Sequence, residues 1–134
     1  MIVEVWLPVN GYLNFYEVSN LGNVRSVDRI VGARSGGMRF QKGALLKPGM
    51  DSRGYLQVCL NAYGKHKMHL VHRLVVKAFF PKDQKRNLVN HIDSNRTNNN
   101  LENLEWVTSS ENQIHAYKAG RRPISKKNLH LFNK

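Results

Sequence analysis

Apolar and polar residues alternate in two early stretches, Tyr16-Glu17-Val18-Ser19 and Asn23-Val24-Arg25-Ser26-Val27. Period two predicts half-buried strands there. Gly11-Tyr12, Asn20-Leu21-Gly22-Asn23 and Gly32 punctuate them as turns. Arg34-Ser35-Gly36-Gly37 reads as a mobile loop, without the lysine spacing of a P-loop. Lys42 to Lys47 predicts a short strand that Pro48-Gly49 ends. Gly54 to Leu60 and Lys65 to Leu70 predict a hairpin, with Gly64 supplying a positive-φ position in the Asn61–Gly64 connection. Cys59, inside the first of those strands, is expected to be a small buried hydrophobe.

The period then changes. Val71, Leu74, Val75, Ala78 and Phe79 fall at i, i+3, i+4, i+7 and i+8, which predicts a helix from Val71 to Phe80. Pro81 stops it, and His72, Arg73 and Lys77 lie off its apolar stripe. Asn87 to Ile92 is a short extended run, and Asp93 to Asn100 is too polar for a core element. Leu104 to Val107 returns to a strand or tight turn. Thr108-Ser109-Ser110-Glu111 is a capping box that predicts a helix over about 109–119, with Gly120 as its C-terminal cap. The remaining segment, 121–134, is basic and without apolar period, and is expected to order only on a partner.

Composition narrows the choice of partner. The chain has 134 residues, 21 Lys+Arg against 9 Asp+Glu, and a net charge of +12. Its length suits one domain or two very small ones. Such charge disfavours acidic ligand pockets and points to a polyanion, either nucleic acid or an anionic membrane surface. A single cysteine excludes an intrachain disulfide and a Cys-rich zinc module. No apolar run reaches spanning length and the N-terminus lacks a signal-peptide pattern, so an intracellular, non-membrane protein is expected. The charge is uneven: residues 25–53 and 54–82 carry +5 each and 118–134 carry +6, whereas 83–117 carry −2.

That less basic segment holds eight asparagines between Asn87 and Asn112. Turn chemistry accounts for Asn95, Asn98, Asn99 and Asn100, because Asn mimics a backbone carbonyl and tolerates positive φ. It accounts poorly for Asn90, beside a histidine at the end of an apolar run, and for Asn112, inside a helix. The ordered string Val71-His72-Arg73-Leu74-Val75, Val89-Asn90-His91-Ile92-Asp93-Ser94-Asn95, Asn98-Asn99, Asn103-Leu104-Glu105-Trp106-Val107-Thr108 and Glu111-Asn112 resembles the HNH endonucleases of phages and mobile introns. Upstream, Gly11-Tyr12, Tyr16 to Asn20 and Gly22 to Ser26 resemble the NUMOD4-like module that often precedes this unit in homing endonucleases. Together the resemblance covers roughly residues 4–119.

The resemblance implies an α+β fold: a small N-terminal antiparallel β-sheet module over 1–70, a ββα-metal nuclease core over 71–120, and a basic tail over 121–134. It implies that His91 is the general base that takes a proton from the water attacking a DNA phosphate. An unperturbed His pKa of about 6.5 suits that task. Asn103 matches the asparagine that braces the loop between the strands. Asn90 and Asn112 match the metal-facing positions. Their neutral amide oxygens favour Mg²⁺ or Mn²⁺ over zinc. Asn90 stands where many relatives carry an acid, so metal binding without DNA is expected to be weak. Asp93 is an alternative ligand, or the start of an Asp-Ser-Asn turn. His115 shares a helical face with Asn112 and is a candidate for the phosphate, for the metal, or for packing.

DNA contacts are expected from Arg25, Arg29, Arg34, Arg39, Lys42, Arg53, Lys65 and Lys67 on the N-terminal sheet and loops, and from Arg73 and Arg96 near the cut. Only about fourteen residues follow Gly120, too few for the helix-turn-helix reader of longer relatives, so loose specificity is expected. The reading is a phage-type, metal-dependent endonuclease acting on double-stranded DNA as a monomer in the host cytoplasm, nicking one strand per event. A DNA-binding regulator that keeps the fold without cleavage is the alternative. An RNA-binding protein fits the composition but gains nothing from the asparagine pattern.

Overall fold

A computed structural model describes residues 3–80 and 86–118. The expected cap Gly120 and the basic tail lie outside the described residues. The chain opens with β1 (Trp6–Pro8), β2 (Tyr16–Ser19) and β3 (Val24–Ser26), an antiparallel sheet in that order. Its turn is held by Ser19, whose Oγ accepts from the amides of Leu21 at 3.2 Å and Asn23 at 3.1 Å. Next come a hairpin of β4 (Arg29–Gly32) with β5 (Met38–Gln41), and a sheet of β6 (Gly49–Met50), β7 (Leu56–Ala62) and β8 (Lys65–Leu70). The β7–β8 turn is two residues, Tyr63 and Gly64, both at positive φ (55° and 73°), as a type I′ hairpin requires.

Helix α1 (Val71–Phe79) follows β8 without a linker and buries Val71, Leu74, Val75 and Val76. These pack with Val9 just after β1, Tyr16, Val18 and Val24 from the first sheet, Val58 and Leu60 from β7, and Leu104 from a later strand. One core therefore joins the N-terminal sheets to everything after residue 70. Full burial of a Val or Leu side chain contributes about 1.5–3 kcal/mol, so this shared core dominates the stability. The Tyr16 hydroxyl ties the two sheets further, accepting from the Asn61 amide at 3.0 Å. The last part is β9 (Leu88–His91), a 3₁₀ turn (Leu101–Asn103), β10 (Leu104–Val107) and α2 (Ser109–Lys118). The architecture is α+β.

Four local expectations need correction. Cys59 is exposed, because Val58 and Leu60 take the core face of β7 and period two sends Cys59 to the other side. The Arg34–Gly37 stretch is the turn of the β4–β5 hairpin, closed by the Ala33 amide on the Gly37 carbonyl at 2.9 Å. The 42–47 strand shrinks to a bridge between Leu45 and Arg25, flanked by bonds from Ser26 to Ala44 and from Leu46 to Val24. His72 is off the apolar stripe of α1 yet only 5% exposed, because Tyr55 and His91 cover it. Among the described residues no helix is long and apolar enough to cross a membrane.

Candidate active site

β9 and β10 pair antiparallel, with Leu104 opposite His91 and Glu105 opposite Asn90. The long loop between them is built from its own polar side chains. Asp93 Oδ1 accepts from the Asn95 amide at 2.8 Å and from Asn103 Nδ2 at 2.9 Å, and Oδ2 accepts from Asn98 Nδ2 at 2.8 Å. These bonds, that of Asn98 first, hold the Asp93 carboxyl below the usual Asp range. The turn role of Asp93 is the one realised. Asn103 also donates to the Asn98 carbonyl at 2.9 Å and accepts from the Asp93 amide at 2.9 Å, while its own carbonyl takes the Ile92 amide at 2.8 Å. It closes both ends of the loop, a bracing geometry.

The capping box forms as drawn from the sequence. Thr108 Oγ1 accepts from the Glu111 amide at 3.1 Å, and Glu111 reaches back to the Thr108 amide at 2.8 Å. Arg86 adds an ion pair to Glu111 at 3.0 Å. The helix so started packs on β9 and β10. His115 fixes the approach by donating from Nε2 to the Ile92 carbonyl at 2.9 Å, so that nitrogen serves packing. Asn112 lies one turn earlier on α2, by spacing on the face His115 uses.

His91 ends β9 and is 4% exposed. Its Nε2 lies 2.8 Å from Asn99 Oδ1. This contact pairs the ring with the loop between β9 and β10. Asn99 is held from the N-terminal sheet: a Cβ on Gly22, which sits at φ +86°, would lie 2.9 Å from the Asn99 Cβ and carbonyl oxygen. The neighbouring Asn20 carbonyl accepts from the Leu101 amide at 2.8 Å. The His91 ring lies 4.9 Å from that of His72 and 5.8 Å from that of Tyr55. Burial, then the neighbouring His91, Arg73 and Arg53, push the His72 pKa down to about 3, so this ring is neutral. Tyr55 carries Arg53 and Arg96 over its ring, at 5.1 Å and 4.8 Å, and Arg96 donates to the Arg53 carbonyl.

Asn90 is buried beside His91 and donates from Nδ2 to Glu105 Oε1 at 2.9 Å. Among the described residues no group of three or more His, Cys, Asp or Glu is placed to hold a metal ion. A site here would rest on amide oxygens, chiefly Asn90 and Asn112, which suit a hard divalent ion completed by water and phosphate.

Comparison with known proteins finds two matching segments. The HNH endonuclease profile matches residues 69–114 and the NUMOD4 motif matches residues 4–61. Residues 69–114 therefore carry an HNH endonuclease domain, behind a NUMOD4 motif. The DNA endonuclease I-HmuI of Bacillus phage SP01 is 33% identical over 121 residues, which are 90% of this chain and 62% of that protein. The uncharacterized HNH endonuclease L245 of Acanthamoeba polyphaga mimivirus is 36% identical over 132 residues, 98% of this chain and 36% of that protein. The solved structure titled DNA binding and cleavage by the HNH homing endonuclease I-HmuI matches with a TM-score of 0.71 at 33% identity, covering 92% of this chain and 63% of that one. The chain thus spans less than two thirds of the length of these relatives.

Around the HNH unit the basic residues separate into groups. Arg96 is at the His91 cluster, together with Arg53. Arg73 lies on α1 with its guanidinium 5.8 Å from the Trp106 ring. Lys65 and Lys67 are exposed on β8, along a groove that also includes Tyr12, Tyr63 and His69. Arg34 and Arg39 are exposed on the β4–β5 hairpin, Arg39 donating to Gln41 at 2.7 Å. Arg25 and Arg29 are tied into the fold: Arg25 stacks 4.0 Å from the Trp6 ring and pairs with Glu17 at 2.7 Å, while Arg29 Nη1 is buried without a hydrogen bond. Tyr55 carried no signal in the sequence, and His72, Asn99 and Glu105 stood in the motif string without a role at the site. Only the Glu105–Asn90 pairing had a local signal, the antiparallel offset of two short strands.

Proposed function

We propose that this chain hydrolyses phosphodiester bonds in double-stranded DNA with a divalent metal ion, Mg²⁺ or Mn²⁺, nicking one strand per event as a monomer. The observation that carries the reading is His91 at the end of β9, beside Asn90 and with Nε2 paired to Asn99 of the braced loop. His91 takes the proton of a water as its oxygen attacks phosphorus. The bond from phosphorus to the 3′ oxygen breaks, the 3′ oxygen gains a proton from solvent, and the products are a 5′ phosphate and a 3′ hydroxyl. Asn90 and Asn112 would hold the ion, which supplies charge stabilisation at the phosphate. Asn103 keeps the loop shaped, and Arg53, Arg96 and Arg73 bind flanking phosphates. Lys65, Lys67, Arg34 and Arg39 extend the basic surface along the duplex.

A plasmid-nicking assay across metals tests this. Wild type should relax supercoiled DNA with Mg²⁺ or Mn²⁺, and His91→Ala should abolish nicking with DNA binding retained. Equal activity in His91→Ala would remove the base assignment. No cleavage by wild type with either ion would favour the DNA-binding alternative.

A further inference from the structure

Asn90 is 3% exposed, yet its two polar atoms have different surroundings. Nδ2 donates to Glu105 Oε1 at 2.9 Å. Oδ1 has no hydrogen bond among the described residues and is not completely buried. The amide cannot be turned over in this setting. A carboxylate only accepts, so the nitrogen must face Glu105 and the oxygen must face away. The pairing is built into the sheet, since Glu105 is the residue directly opposite Asn90. Such cross-strand neighbours share a face.

We infer that Glu105 is a positioning residue that holds the Asn90 amide with Oδ1 presented to the metal ion. The inference rests on the metal-site reading above and adds a residue to it. It also answers a chemical difficulty: a free Asn side chain presents its nitrogen or oxygen almost equally well, and only the oxygen binds a cation. Groups that orient a metal ligand in this way typically change metal affinity 10–100-fold when removed.

The test uses the whole chain and Mn²⁺ as probe. Free Mn²⁺ is counted by electron paramagnetic resonance during titration of wild type, Glu105→Ala, Glu105→Gln and Asn90→Ala, with folding checked by circular dichroism. Glu105→Ala should bind Mn²⁺ at least about tenfold more weakly. Glu105→Gln keeps an acceptor for Asn90 Nδ2 and should stay within about threefold of wild type on the same scale. Wild-type affinity in folded Glu105→Ala overturns the inference. Equal loss in the Gln and Ala variants also overturns it, because the charge of Glu105 itself would then matter and not the bond to Asn90. Asn90→Ala separates the two levels. If it leaves Mn²⁺ binding unchanged, the metal-site reading fails; if it weakens binding and Glu105→Ala does not, only the role of Glu105 fails. Should Glu105→Ala not fold, the wild type decides by NMR. One Asn90 Nδ2 proton should be shifted downfield and exchange slowly, and two fast-exchanging protons would overturn the inference.

Discussion

Replacing His72 by Phe should flatten the acid side of the stability curve. His72 is neutral in the fold, its pKa pushed down to about 3 by burial and then by His91, Arg73 and Arg53. In the unfolded chain it returns to about 6.5. Between those values the unfolded state binds a proton that the folded state refuses. The stability it confers is therefore complete above about pH 6.5 and is lost progressively as pH falls toward about 3. At pH 4.5 the gap is about two pH units, or roughly 2.7 kcal/mol at 1.36 kcal/mol per unit. Phe keeps a ring against Tyr55 and His91, cannot take a proton, and removes the buried, unpartnered Nδ1. Urea unfolding of wild type and His72→Phe at pH 7.5 and 4.5 measures the difference. Wild type should lose roughly 2.5 kcal/mol more than the variant over that interval, while His69, Asp93 and Glu111 titrate alike in both. Parallel losses would refute a buried neutral His72.

Other perturbations follow from the same contacts. Asn99→Ala removes the side-chain partner of His91 Nε2 and should slow nicking on the order of tenfold to a hundredfold with DNA affinity little changed, as a plasmid-nicking assay beside a DNA-binding titration would measure. Asn103→Ala deletes three side-chain hydrogen bonds, so chemical denaturation should register a loss of about 2–3 kcal/mol. Thr108→Ala breaks one side of the capping box and should cost about 1 kcal/mol in the same assay. Gly22→Ala strains a residue at φ +86° and drives a methyl into the Asn99 backbone, so it should lower both the melting temperature and the nicking rate.

Much of the fold was legible because its determinants are close in sequence. The alternation in Tyr16–Ser19, the stripe Val71, Leu74, Val75, Ala78 and Phe79, and the Thr108–Glu111 box each specify a local geometry with a fixed period or offset. The β4–β5 hairpin was missed because Arg29–Gly32 has little alternation, the alternation of Met38–Gln41 spans only four residues, and both strands expose their apolar side chains Ile30, Met38 and Phe40. The site itself was legible as an ordered motif, and its loop chemistry follows from short-range asparagine turns.

The sequence by itself determined the element types, the excess of positive charge, and the spacing that sets Asn90, His91, Asn103 and Asn112 on a ββα unit. Tertiary structure decided which polar group meets which. Glu105 turns the Asn90 amide, Asn99 pairs with His91, Gly22 of a distant turn steadies Asn99, and Tyr55 and His91 cover His72. These pairings depend on faces brought together by a core drawn from both halves of the chain. Within that core a polar group bonds to whichever neighbour the packing brings within reach, and the local sequence does not specify that neighbour.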